Sequence, residues 1–201
     1  MTARGDSGAA AGGLDCGPIT LSAVPAPVWK LLNFKNALQE RTNWCWAAVA
    51  FNVASYYDPS TAFTQCSIAS GELRQDCGCC DDATDPDPCN VYGYLMSSLF
   101  RVGHFEKWLT RPATADEVHD EIDDDRPLCV RIVWNGGGAH FVVIAGYADK
   151  GSTADGKRDI GGVAIADPWW GLSDIDFEDF PTGYINCGRC TDHYETCGDE
   201  S

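Results

Sequence analysis

The sequence predicts an α+β fold, a helical first part packed on an antiparallel β second part, and three observations lead to it. Residues 44–57 are apolar except for Asn52 and Ser55, so a helix there must be buried on nearly every side and can serve as the central element of the domain. Residues 127–134, 140–147 and 162–167 are β-rich runs bounded by Gly and Pro, the pattern of strands. Helices come first and strands second, and that segregation argues for α+β over alternating α/β. A chain of 201 residues is long enough for one domain with a real core. The expected division is a flexible lead-in over 1–30, one folded unit over 31–186 (helical part 31–126, β part 127–186) and a Cys-rich acidic tail over 187–201.

Residues 1–15 are rich in Gly and Ala and offer little to bury, and residues 16–38 carry three prolines and read as an extended approach. Asn43 is the expected N-cap of the central helix, and Asp58 followed by Pro59 should stop it. Thr64 is placed to cap a short helix over 65–73. Residues 76–90 combine Cys, Asp and Pro with too few apolar side chains to fold by burial, so cross-links or a metal must hold them. Tyr92, Leu95, Met96, Leu99 and Val102 fall at helical spacing and predict an inward face for a helix over 91–102, ended by Gly103. Thr114 and Glu117 form a capping box that opens a helix with Val118 and Ile122 facing inward. The sequence contains no internal repeat.

Thirty acidic against fourteen basic residues give a formal net charge of -16, which disfavours nucleic acid and anionic membranes as partners. No apolar run approaches the length of a membrane span, and the first ten residues lack the apolar core of a secretory signal. The expected chain is therefore soluble, monomeric and without a readable address. Eleven cysteines is a high count. Setting Cys45 aside leaves Cys16, the group Cys66, Cys77, Cys79, Cys80 and Cys89, then Cys129, and the terminal Cys187, Cys190 and Cys197. Both groups are odd, so complete pairing would need bonds outside each group. The terminal cysteines with His193 also have ligand types and spacing suited to zinc, a reading weighed below disulfides or free thiols.

Cys45 stands in the first turn of the central helix, where unpaired backbone N–H groups and the helix dipole favour an anion, and a thiolate is the anion available. Packing alone would also explain a cysteine in an apolar helix, since cysteine is among the most buried residue types. Gln39 lies six residues upstream, a candidate to hold a developing oxyanion together with the Cys45 backbone N–H. His140 sits where the glycines 136–138 give way to a strand, and Asp167 ends another strand. Taken alone, each has an ordinary structural explanation: a strand-end histidine and an Asp-Pro turn.

Together these residues carry a resemblance. Gln39 followed by Cys45-Trp46-Ala47-Ala48 resembles the nucleophile segment of papain-like cysteine proteases, and Asn43-Trp44 before it resembles their bacterial branch. His140-Phe141-Val142 leading to Gly146-Tyr147 is similar to the family's histidine strand, and Asp167-Pro168-Trp169-Trp170-Gly171 resembles its Asn-Ser-Trp-Gly turn, with Asp in place of Asn. The four elements occur in the family's chain order over roughly residues 35–185.

The resemblance implies a papain-like fold and peptide-bond hydrolysis through a thioester. In that scheme Cys45 is the nucleophile, His140 the acid and base, Asp167 the orienting group, and Gln39 with the Cys45 N–H the oxyanion donors. A peptide or protein is the implied substrate, and neither metal nor organic cofactor is required. Trp44, Trp46, Trp169 and Trp170 are expected around this site. His104 after a helix end, His119 on an exposed acidic helix face and His193 in the terminal group are poor rivals to His140. The alternatives are a transglutaminase, deamidase or amidase on the same triad, and an inactive binding or toxin scaffold.

Overall fold

A computed structural model describes residues 27–73, 79–80, 87–185 and 188–198. Strand β1 (Val28–Leu31) leads to helix α1 (Cys45–Tyr57), followed by α2 (Gln65–Leu73), α3 (Leu95–Arg101), β2 (Phe105–Leu109) and α4 (Ala115–Asp123). Then come β3 (Leu128–Trp134), β4 (Ala139–Ser152), β5 (Arg158–Asp167), β6 (Gly171–Asp176), the short α5 (Phe180–Gly183) and β7 (Gly188–Thr196). The strands form one antiparallel sheet in the order β2-β7-β3-β4-β5-β6, with β1 paired to the far end of β4.

The sheet is covered on both faces. On one side Phe141, Val143 and Ala145 of β4 pack against α1, α2 and α3. On the other, Val142 and Ile144 meet Val118 and Ile122 of α4 and Phe180 of α5. This period-2 division of one apolar run is why residues 140–147 read as continuously hydrophobic. Helix α1 is buried from Cys45 to Ala50 and again at Asn52, Val53 and Ala54.

Asn52 is the one polar side chain buried in α1, and a buried amide must find partners. Its Oδ1 accepts from Ala37 N, and its Nδ2 donates to Ala37 O and Asn36 Oδ1. It therefore straps the segment after β1 onto the central helix.

Several local expectations are corrected. Asn43 does not cap α1. Trp44 occupies that position without a side-chain bond, while the Asn43 backbone N–H and Nδ2 donate to the Asn90 side chain and carbonyl. Helix α3 begins only at Leu95, because Trp46 Nε1 donates to Val91 O and its ring fills the space a Cβ on Gly93 would take, which keeps 91–94 extended. Tyr92 and Met96 are consequently exposed at 74% and 41%, not inward. His119 is buried, its ring 5.2 Å from Tyr147 and its nitrogens beside Asp120 and Asp123. By contrast, Thr64 binds Ser67 N at the start of α2, the Thr114/Glu117 capping box opens α4, and Gly103 takes the positive φ that ends the α3 turn.

The cysteines pair within their own group, Cys66 with Cys80 and Cys79 with Cys89. Cys129 and Cys190 remain buried thiols, and burial pushes the Cys190 thiol up to about 12. Cys16, Cys77 and Cys187 lie outside the described residues. Cys190 Sγ donates to Phe180 O, so this thiol is turned away from the zinc arrangement that its spacing suggested. Four strands were not foreseen: β1, which begins inside the expected flexible lead-in, β2, inside the half expected to be helical, β6, which follows the Asp167 turn, and β7, which turns most of the expected tail into a central partner of β3.

Candidate active site

The first turn of α1, the start of β4 and the end of β5 converge at one point. Cys45 is the first residue of α1, so its backbone N–H has no partner within the helix. His140 follows a β3–β4 hairpin in which Gly137 and Gly138 both take positive φ, a conformation that leaves the ring anchored at the first turn-free residues of the strand. Asp167 is the last residue of β5 and is fully buried. His140 Nε2 lies 2.9 Å from Asp167 Oδ1, and the Cys45 thiol is the other side chain close enough to favour the charged ring. With Nε2 committed to the carboxylate, Nδ1 is the nitrogen that faces sulfur.

The Asp167 carboxylate is surrounded by donors. Oδ1 also accepts the backbone N–H of Trp169 at 2.6 Å and of Trp170 at 3.0 Å, the Asx turn set up by Pro168. Oδ2 accepts the Tyr184 hydroxyl at 2.7 Å. Burial alone would raise the Asp167 carboxyl, but the bond to His140 and its charge, with the Tyr184 and Trp169 donors, hold it below the ordinary carboxylate range. For His140, burial opposes the charged ring, yet the bond to Asp167 and the nearby Cys45 outweigh it and lift the imidazole to about 9. Trp134 lies roughly parallel to the imidazole at 6.2 Å and Trp170 meets it edge-on at 5.4 Å, leaving the ring little freedom to turn.

Compared with known families, residues 29–182 match the model of the papain-like cysteine protease AvrRpt2. The chain belongs to that family. No curated protein matches it. It is thus a papain-like cysteine protease of bacterial type, and the mixed helix and antiparallel sheet is the papain-like fold. Protein substrates follow from the family.

In this protease the segment carrying Gln39 is clamped from several sides. Gln65 on α2 accepts from Glu40 N and donates to Leu38 O, while Gln39 N donates to Pro168 O, which ties the segment to the Asp167 turn. The Gln39 amide itself donates to Arg41 O at 2.7 Å and Thr42 O at 2.9 Å, and its Oε1 is buried without a hydrogen-bond partner. Both amide hydrogens are therefore engaged by the chain's own carbonyls. To donate to an oxyanion, Gln39 must release one of these bonds.

A cleft of about 570 Å³ opens beside Cys45. Its walls are Trp46, Gly93, Tyr94, Met96, Val133, Phe141 and Tyr194. At its floor Arg131 pairs with Asp192 at 3.3 Å, and Trp108 Nε1 donates to Asp192 Oδ1. The charges satisfy each other, so the cleft presents mainly apolar surface.

Of the tryptophans expected around the site, only Trp170 touches His140. Trp44 and Trp46 instead donate to Cys89 O and Val91 O and fix the cysteine-rich segment against α1, and Trp169 is half exposed. Four contributors escaped the sequence reading: Tyr184, Trp134, Gln65 and Asn36, whose Nδ2 donates to Asp167 O at 2.7 Å. Only the buried Asn52 could have signalled this network, because an amide in an apolar helix demands partners.

Imidazole-resolved NMR titration should place the His140 midpoint near pH 9 in the folded protease, since a raised value means that the ring stays protonated until the pH climbs through it. Asp167→Asn removes the facing negative charge and should lower that midpoint. A midpoint at the ordinary 6.5, unmoved by the substitution, would contradict this electrostatic account.

Proposed function

We propose that this protease cleaves peptide bonds through a thioester formed on Cys45, with His140 as proton carrier and Asp167 as orienting group. The observation that carries the reading is the buried His140 ring bridging the Cys45 thiol and Asp167 Oδ1. In the resting pair sulfur is a thiolate and the ring an imidazolium, the charge distribution favoured by a helix N-terminus on one side and a carboxylate on the other. The thiolate attacks the substrate carbonyl carbon. The resulting oxyanion takes the Cys45 backbone N–H and, once it releases a chain carbonyl, the Gln39 amide.

Collapse breaks the C–N bond as His140 delivers its proton to the departing amine, leaving a neutral ring and the acyl thioester. Water then attacks the thioester while His140 takes up its proton. The acid product leaves and the thiolate–imidazolium pair is restored. Substrate lies across the cleft with an apolar side chain against the Trp46, Met96 and Tyr194 walls, where the internally paired Arg131 and Asp192 attract no counter-charge. The working unit runs from β1 through β7, because β7 supplies Asp192 and Tyr194 to the cleft.

A peptide library incubated with wild type and with Cys45→Ala should show new amino termini in the first sample only. Release of ammonia without new termini would move the reaction to deamidation. Asp167→Asn keeps an oxygen for the imidazolium, which donates from both nitrogens, so kcat/KM should stay within about 10² of wild type, whereas Asp167→Ala loses more. A serine triad loses about 10⁴ on that Asp-to-Asn change because its neutral imidazole is held in the wrong tautomer. Equal damage from Asn and Ala would mean that the resting ion pair is absent.

A further inference from the structure

His193 was singled out by its spacing from the terminal cysteines, but the fold gives it other neighbours. Strand alternation puts His193 and Glu195 on the same face of β7, turned towards the first turn of α4, where Glu117 stands. Ligating atoms of Glu117, His193 and Glu195 all lie within 4.8 Å of one another.

The histidine carries the argument. It is fully buried, and its Nδ1 is 2.9 Å from the backbone carbonyl of Arg111. A carbonyl only accepts, so Nδ1 holds the hydrogen and a neutral ring leaves a lone pair on Nε2. That Nε2 has no hydrogen-bond partner and sits 3.9 Å from Glu117 Oε1. A buried acceptor facing two carboxylates, with its other nitrogen donated to a main-chain carbonyl, is the tautomer and support that metal-ligating histidines adopt.

We propose that Glu117, His193 and Glu195 form a structural Zn²⁺ site, with water as the fourth ligand. One imidazole and two carboxylates suit zinc, whereas calcium and magnesium are bound through oxygen ligands. Zinc bonds of about 2.0–2.2 Å in a tetrahedron place ligand atoms roughly 3.4 Å apart, so the pair now 3.9 Å apart closes by about half an ångström. Glu117 can offer Oε1 while Oε2 keeps its bonds to Thr114 N and Oγ1 in the capping box.

The neighbouring cations yield to the ion. Arg111 pairs with Glu117 and Lys107 with Glu195, and these two side chains are 46% and 55% exposed on long stems that can swing to solvent. The ion would join α4 to β7. On the opposite face of β7, Asp192 and Tyr194 line the cleft, so the site would brace the cleft wall from behind without touching Cys45.

The test uses full-length Cys45→Ala protein, which removes the nucleophilic thiol as a competing ligand, stripped with chelator and dialysed. Titration with Zn²⁺ by calorimetry and with Co²⁺ by absorption should give one equivalent bound, visible d–d bands without thiolate charge transfer, and a higher Tm. Glu195→Gln should lower affinity at least tenfold, and His193→Gln should abolish uptake. Should the fully buried His193→Gln fail to fold, the partly exposed Glu195→Gln decides. No uptake, unchanged affinity in Glu195→Gln, or a cobalt spectrum with thiolate bands would overturn the site.

Discussion

A carboxylate with no access to water is the constraint on which the site depends. Asp167 is 0% exposed, and a buried charge survives only where it is paired and its lone pairs are filled. Its partners come from three places in the chain: the His140 ring on β4, two backbone N–H groups of the turn after β5, and the Tyr184 hydroxyl beyond α5. Each bond that stabilises the charge also limits where its donor can be. Solvating Asp167 and aligning His140 are therefore a single requirement.

The second fixed point is α1. It presents Cys45 from a helix with almost no freedom to shift, because residues Cys45 to Ala50 are all buried. The same helix organises its surroundings through hydrogen bonds: Trp44 and Trp46 hold the segment after the disulfide-linked cysteines, and Asn52 holds Asn36. Asn36 in turn donates to the Asp167 carbonyl. A continuous chain of bonds thus runs from the middle of the nucleophile helix to the turn that positions the histidine. Its members are part-buried contacts around the buried Asn52, and a buried amide left unpaired typically costs about 1–3 kcal/mol.

Apolar patterning and helix-end chemistry made much of this legible in the sequence. The buried helix, the α4 capping box and the strands β3 to β5 follow from periodicity and from side chains that act on their own backbone. Cys45, His140 and Asp167, marked by their flanks, do meet in space. What escaped was burial by polar pairing. Strand β7 looks like an acidic tail because its buried residues include Asp192, His193 and Thr196, each hydrogen-bonded to a partner more than sixty residues away. His119 looked exposed for the same reason, since Asp120 and Asp123 face its nitrogens only once α4 is folded onto Tyr147. Helix α3 came out too long because the extended path of 91–94 is imposed by Trp46, far upstream.

The account stands on Cys45 becoming covalently acylated during turnover. An activated peptide ester makes deacylation the slow step, so acid quenching followed by intact mass and peptide mapping can capture the intermediate. The predicted result is a mass increase equal to the acyl fragment, located on Cys45, discharged by hydroxylamine and missing in Cys45→Ala. Turnover of the same ester with the adduct on another residue, or at full rate by Cys45→Ala, would contradict it.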